Sequence, residues 1–179
     1  NQCPSYNWMA ADRHQLCWAH VKRNLQQMSG YSGGGHTAYI GSGHTAYIGK
    51  HLCLLTNAIF HTRHRYEQGE LDYSRYLRRM HRLQKSFDHW LSKGTGVMIK
   101  RYRGRCKLLL KHRESLWVFL KKTSIPLTNN EAERCIRGFV IQRKISFGTT
   151  SDAGDKIRSR IHTLIETCKK RGLSAMSVL

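Results

Sequence analysis

The sequence predicts a fold built mainly from helices, with one short buried strand near its start. Three observations carry this expectation. Apolar residues recur at helical spacing from Lys50 to Lys122, a capping pattern opens a further helix at Thr128, and a last helix closes on Gly172. A chain of 179 residues can hold one domain with a real core, or a compact lobe with a helical appendage.

Taken in order, "PSYNWMAADRHQLCWAHVKRNLQQMSG" reads as a short helix or turn, a brief buried strand around Gln15 to Ala19, and a helix from about His20 to Met28 ended by Ser29 and Gly30. An octamer then occurs twice in tandem, GHTAYIGS followed by GHTAYIGK. Eight residues are too few for a solenoid repeat, and the recurring glycines argue against a continuous helix. The expectation for residues 31–49 is therefore a surface loop that tolerates a small duplication. Beyond it, three apolar stripes follow: Leu52, Leu55, Ile59 and Phe60; then Tyr73, Tyr76, Leu77, Met80, Leu83, Phe87, Trp90 and Leu91; then Cys106, Leu109, Leu110, Leu116, Trp117 and Leu120. Breaks at Gln68-Gly69 and at "KGTG" divide residues 50–122 into three or four helices, whose short connections favour antiparallel packing.

The stretch "PLTNNEAER" holds two glutamates in a chain with only 11 acidic side chains. Thr128 and Glu131 are spaced as a capping box, with Leu127 and Ala132 as a weak staple, and the helix they open runs to about Lys144. Glu133 lies about 200° further round from Glu131 and belongs to neither the cap nor the apolar stripe of Ala132, Cys135, Ile136, Phe139 and Val140. Read alone, it pairs with Arg137 at i+4. After a short "ISFGTT" segment, a final helix extends from Ser151 or Asp152 to Arg171.

Charge sets the partner class. Lysine and arginine number 31, the net charge is +20, and residues 50–122 alone hold 18 basic against five acidic residues. An excess this one-sided points to a polyanion, nucleic acid first and an anionic membrane second. No run approaches the roughly 18 apolar residues of a membrane span and no secretory signal opens the chain, so a soluble cytoplasmic protein with no membrane partner is expected. The six cysteines are scattered singly, which favours reduced thiols over a disulfide framework or zinc ribbon. His14, Cys17 and His20 could be read as a small zinc site, but a fourth well-spaced ligand is missing. The first residue is Asn1, which makes the sequence read as part of something longer.

Three segments together carry a resemblance: "PSYNWM" followed by "HQLCWAHVKRNL", then "PLTNNEAERCIRGFVIQRKISFGTTSDAGDKI", and "IHTLIETCKKRGLSAMSVL". They resemble the transposases of the insertion-sequence sixty-six family, bacterial enzymes with a ribonuclease-H-like α/β catalytic core. The resemblance is specific in NNxAERxxR and the RKISFG that follows, and weaker in the basic middle. It implies a DDE transposase that uses Mg²⁺ (or Mn²⁺), held by two aspartates and one glutamate, to cleave DNA and transfer strands. Glu133, directly before Arg134, matches the family's glutamate and would be both catalytic residue and metal ligand. The family's second aspartate stands five residues before the tyrosine of Tyr6-Asn7-Trp8, a position held by Asn1, and the first aspartate would lie upstream. A neutral asparagine cannot supply the charge that a hard divalent ion needs.

The resemblance thus implies an incomplete ribonuclease-H-like core. Residues 1–30 would belong to it, 31–49 would be the loop, 50–122 an inserted basic helical subdomain, 123–150 the core helix with the catalytic glutamate, and 151–179 a C-terminal helical segment. It further implies a fragment or degenerate copy that is inactive alone, located in the bacterial cytoplasm with the nucleoid. Its partners would be transposon ends, target DNA, a second subunit and accessory proteins of the same element. The candidate DNA contacts are Arg134, Arg137, Arg143 and Lys144 beside the motif, and Lys100, Arg101, Arg103 and Arg105 in "KRYRGR". The alternative is a non-enzymatic basic nucleic-acid-binding protein, in which Glu133 only pairs with Arg137.

Overall fold

The computed structural model describes residues 13–31, 39–146 and 148–178. The chain divides into two compact units, Asn1–Thr128 and Asn129–Leu179. The first holds α1 (Trp18–Ser29), α2 (Tyr39–Glu67), α3 (Tyr73–Gly94), α4 (Lys100–Lys111) and the single turns α5 (Arg113–Leu116) and α6 (Val118–Lys121); the second holds α7 (Asn130–Ile145), α8 (Asp152–Arg171) and a 3₁₀ turn, Ala175–Ser177. Helices dominate, and no strand occurs among the described residues.

In the first unit α1 packs on α2, α2 on α3 and α3 on α4. The three stripes of the sequence supply the core: Leu52 and Ile59, then Tyr76, Met80, Phe87 and Leu91, then Cys106, Leu109, Leu116 and Trp117 are buried. At its centre Trp18, fully buried, lies 5.2 Å from Phe87 and 5.1 Å from Trp117 between ring centroids. Its Nε1–H donates to the Leu116 carbonyl at 2.9 Å, so the one polar atom of the indole is satisfied. Losing such a side chain typically costs about 3–5 kcal/mol. Gln15 donates to the same carbonyl and accepts from the Phe119 N–H, which pins the break between α5 and α6.

The strand expected around Gln15 to Ala19 is corrected to an extended entry into α1. Leu16 and Cys17 are buried as a strand would be. Their segment, however, is held by two unrelated stretches, with the Leu16 N–H donating to Ser115 and the Trp18 N–H to Leu127, and the chain turns helical at Trp18.

Of the loop expected over residues 31–49, residues 32–38 lie outside the described residues; from Tyr39 onward the expectation is corrected, because α2 runs from there through the whole second octamer and on past Lys50. Thr45 and Ile48 are fully buried. Gly49 lies so close to α1 that a Cβ there would sit 2.5 Å from the Ser29 amide nitrogen and 2.7 Å from the Met28 carbonyl carbon. Glycine weakens a helix by about 1 kcal/mol, yet here it permits a backbone approach that no larger residue allows.

Of the predicted breaks, Gly69 has φ 76°, and Asp72 caps α3 by accepting from the Arg75 N–H at 2.8 Å. At the end of α3, a Cβ on Gly94 would collide with the Cys106 sulfur of α4.

In the second unit α8 follows the sequence closely, since Ser151 accepts from the Gly154 N–H and Gly172 closes the helix in the left-handed region at φ 66°. The capping box at Thr128 is corrected. Asn129 is the residue before α7 and makes no side-chain capping bond, and the Glu131 carboxylate pairs with Lys170 instead of reaching back to Thr128. Cys135 and Phe139 meet α8 through His162, whose Nε2–H donates to the Cys135 carbonyl at 3.0 Å. Ile136 and Val140, expected on the same stripe, are 53% and 42% exposed.

Candidate functional site

The two glutamates of the motif separate on α7. Glu131 extends toward α8 and pairs with Lys170 at 3.3 Å, a bond that raises the lysine's pKa. It therefore links two helices rather than closing a capping box. Glu133 stands one position later than a capping box would place it, half-buried, with its N–H donating to the Asn129 carbonyl as part of the first full turn. At 100° per residue Glu133, Arg137 and Lys144 fall within about 40° of one another, while Arg134 and Arg143 lie about 80–100° to either side. All four of these basic residues are exposed.

Asn1, Tyr6, Asn7 and Trp8 lie outside the described residues. Among the described residues no group of three or more His, Cys, Asp or Glu side chains could hold a metal ion, His14, Cys17 and His20 included. Mg²⁺ or Mn²⁺ takes its affinity from several oxygen ligands, charged ones above all. A single carboxylate does not make up such a site.

The basic surface of the first unit has a defined centre. Four of the five acidic residues between Lys50 and Lys122 are committed to arginines: Glu67 to Arg63, Glu70 to Arg65, Asp72 to Arg75 and Asp88 to Arg113. Arg63 is buried and donates also to the Thr123 carbonyl and the Tyr76 hydroxyl; burial opposes its charge, but its bonds to Tyr76 and Glu67 outweigh that and raise its pKa. It is a structural cation. The excess charge lies elsewhere, including the run that begins α4.

In that run Arg101 and Arg105, one turn apart, converge on one neutral side-chain acceptor, and Arg105 also donates to the Asn24 carbonyl at 3.4 Å. The Gln27 side-chain oxygen of α1 accepts from Arg101 at 3.3 Å and from Arg105 at 3.0 Å. Both guanidiniums lie within 6 Å of the Tyr102 ring centroid, and the Tyr102 hydroxyl donates to the Gln27 carbonyl, holding the assembly to the end of α1. Burial, and next the Arg101 charge, pull the Arg105 pKa below its ordinary value. Two cations thus share an amide where a phosphate would relieve both, and guanidiniums match phosphate geometry. Lys100 is exposed at the start of α4, and Arg103, about 200° round from Arg101, takes the opposite side. Gln27 and Tyr102 were not foreseen as part of the site. The only sequence signal was a tyrosine between arginines spaced i and i+4.

No helix among the described residues is long and apolar enough to cross a membrane. Residues 4–157 match the family model described as Transposase IS66 family. A 66-residue segment is 42% identical to Uncharacterized protein y4jO of Sinorhizobium fredii. That match covers 37% of this chain and about a fifth, 21%, of the relative's length. No solved structure matches the chain.

Proposed function

The chain belongs to the IS66 family of transposases, and from that premise we propose that its first unit is a DNA-holding part of a DDE-type transposase, with Glu133 one of the carboxylates of the reaction centre. The observation that carries the DNA-holding role is the convergence of Arg101 and Arg105 on Gln27, a cationic pair braced by neutral groups. Transposon ends and target DNA are the proposed partners, and a ribonuclease-H-like core is the proposed setting of the chemistry. Family membership and the NNEAER motif support the role of Glu133. In the complete enzyme Glu133 would contribute one ligand to Mg²⁺ or Mn²⁺, which supplies Lewis acidity at the phosphodiester.

Phosphate-directed binding has a plain signature. The 179-residue chain should bind random duplexes and duplexes of the element's ends with closely similar affinity, because backbone contacts carry no sequence information. Fluorescence anisotropy with labelled duplexes of equal length measures this. A large preference for one sequence would show base readout instead, and absence of binding at low salt would overturn the proposal.

A further inference from the structure

We propose that the outer face of α2 and α3 carries a stacking site for an unpaired DNA base, with the Tyr47 ring as its platform. The proposal rests on the DNA-holding role of the first unit and adds a ligand class to it. Tyr47 is 53% exposed, an unusual position for an aromatic residue in the octamer that packs against α1. It is not isolated. His51 stacks on Trp90 with ring centroids 4.0 Å apart at 20°, and Tyr47 leans on both, 4.3 Å from His51 and 5.7 Å from Trp90. The His51 Nδ1–H donates to the Tyr47 carbonyl at 3.0 Å, fixing the imidazole beneath the phenol. The result is a braced ring with an exposed surface, which loses little entropy when a planar ligand settles on it.

The surrounding charge favours a nucleic acid strand over an uncharged aromatic ligand. Lys93 lies over Trp90 with its Nζ 5.1 Å from the ring centroid, and Lys50 follows Tyr47 by three residues on the same helix face. From Arg13 to Tyr66 the sequence has no acidic residue at all. Asp88, the acidic residue within α3, is committed to Arg113 at 2.5 Å. Aromatic platforms edged by cations are how proteins hold single strands, because every base has a π-face and the cations follow the backbone. Inside a duplex the neighbouring base pairs cover both faces of each base, so the site favours unpaired bases over duplex DNA.

The test compares, on the intact chain, a labelled thymidine single strand of about 15 nucleotides, an abasic strand of the same length, and a duplex. The unsubstituted protein should bind the base-bearing strand about tenfold more tightly than the abasic one. Tyr47→Ala should remove that difference and leave duplex affinity nearly unchanged, whereas Tyr47→Phe should keep it. Equal affinity for abasic and base-bearing strands would overturn the stacking site while leaving duplex binding to stand, and this comparison needs no variant to fold. Failure to bind the duplex as well would bring down the DNA-holding role and the stacking site together.

Discussion

Glu133→Gln should abolish strand transfer by a complete transposase that carries this segment, while Glu131→Gln leaves most of the activity. The two substitutions are chemically the same and lie two residues apart, yet they remove different things. At Glu131 the change loses an exposed pair with Lys170, the kind of contact that contributes little to stability. At Glu133 it removes negative charge from a half-buried side chain in the first turn of α7, within the NNEAER stretch. Glutamine preserves shape and helix propensity, so the fold and duplex affinity should be retained in both variants. The check is one strand-transfer assay at equal folded concentration, with anisotropy on the same preparations. Loss of activity with Glu131→Gln and its retention with Glu133→Gln would reverse the assignment.

Much of the fold was legible because helical stripes are local patterns with global consequences. Leu52, Ile59, Met80, Phe87 and Cys106 could be assigned to the core from spacing alone, and all are buried. The final helix was legible at both ends, since Ser151 and Gly172 act through their own backbone neighbourhood. Misreadings arose where a distant contact overrode local preference. Gly49 looks like a helix breaker until Ser29 is known to press against it, and Glu131 looks like half of a capping box until Lys170 is known to pair with it. For the same reason the candidate site was only half visible. The basic run at Lys100–Arg105 was plain, but its bracing by Gln27 spans more than 70 residues, and the Tyr47, His51 and Trp90 cluster joins two helices.

The second large effect concerns Arg101 and Arg105, and it tests the DNA-holding role at its source. Each phosphate neutralised by a lysine or arginine adds about 0.9 to the slope of log affinity against log salt. If the pair meets phosphates, the Arg101→Gln, Arg105→Gln double variant should lose close to two units of slope, with weakened binding to every duplex. The fold should survive, because the substituted side chains are partly exposed. Stability must be followed in parallel by urea denaturation. The most direct measurement is therefore duplex affinity from low to moderate salt for the unsubstituted chain and the double variant. The account predicts a steep line for the first and a line shallower by about two for the second. Parallel lines of equal slope would contradict it, placing the phosphate contacts of this chain somewhere other than the Arg101 and Arg105 pair.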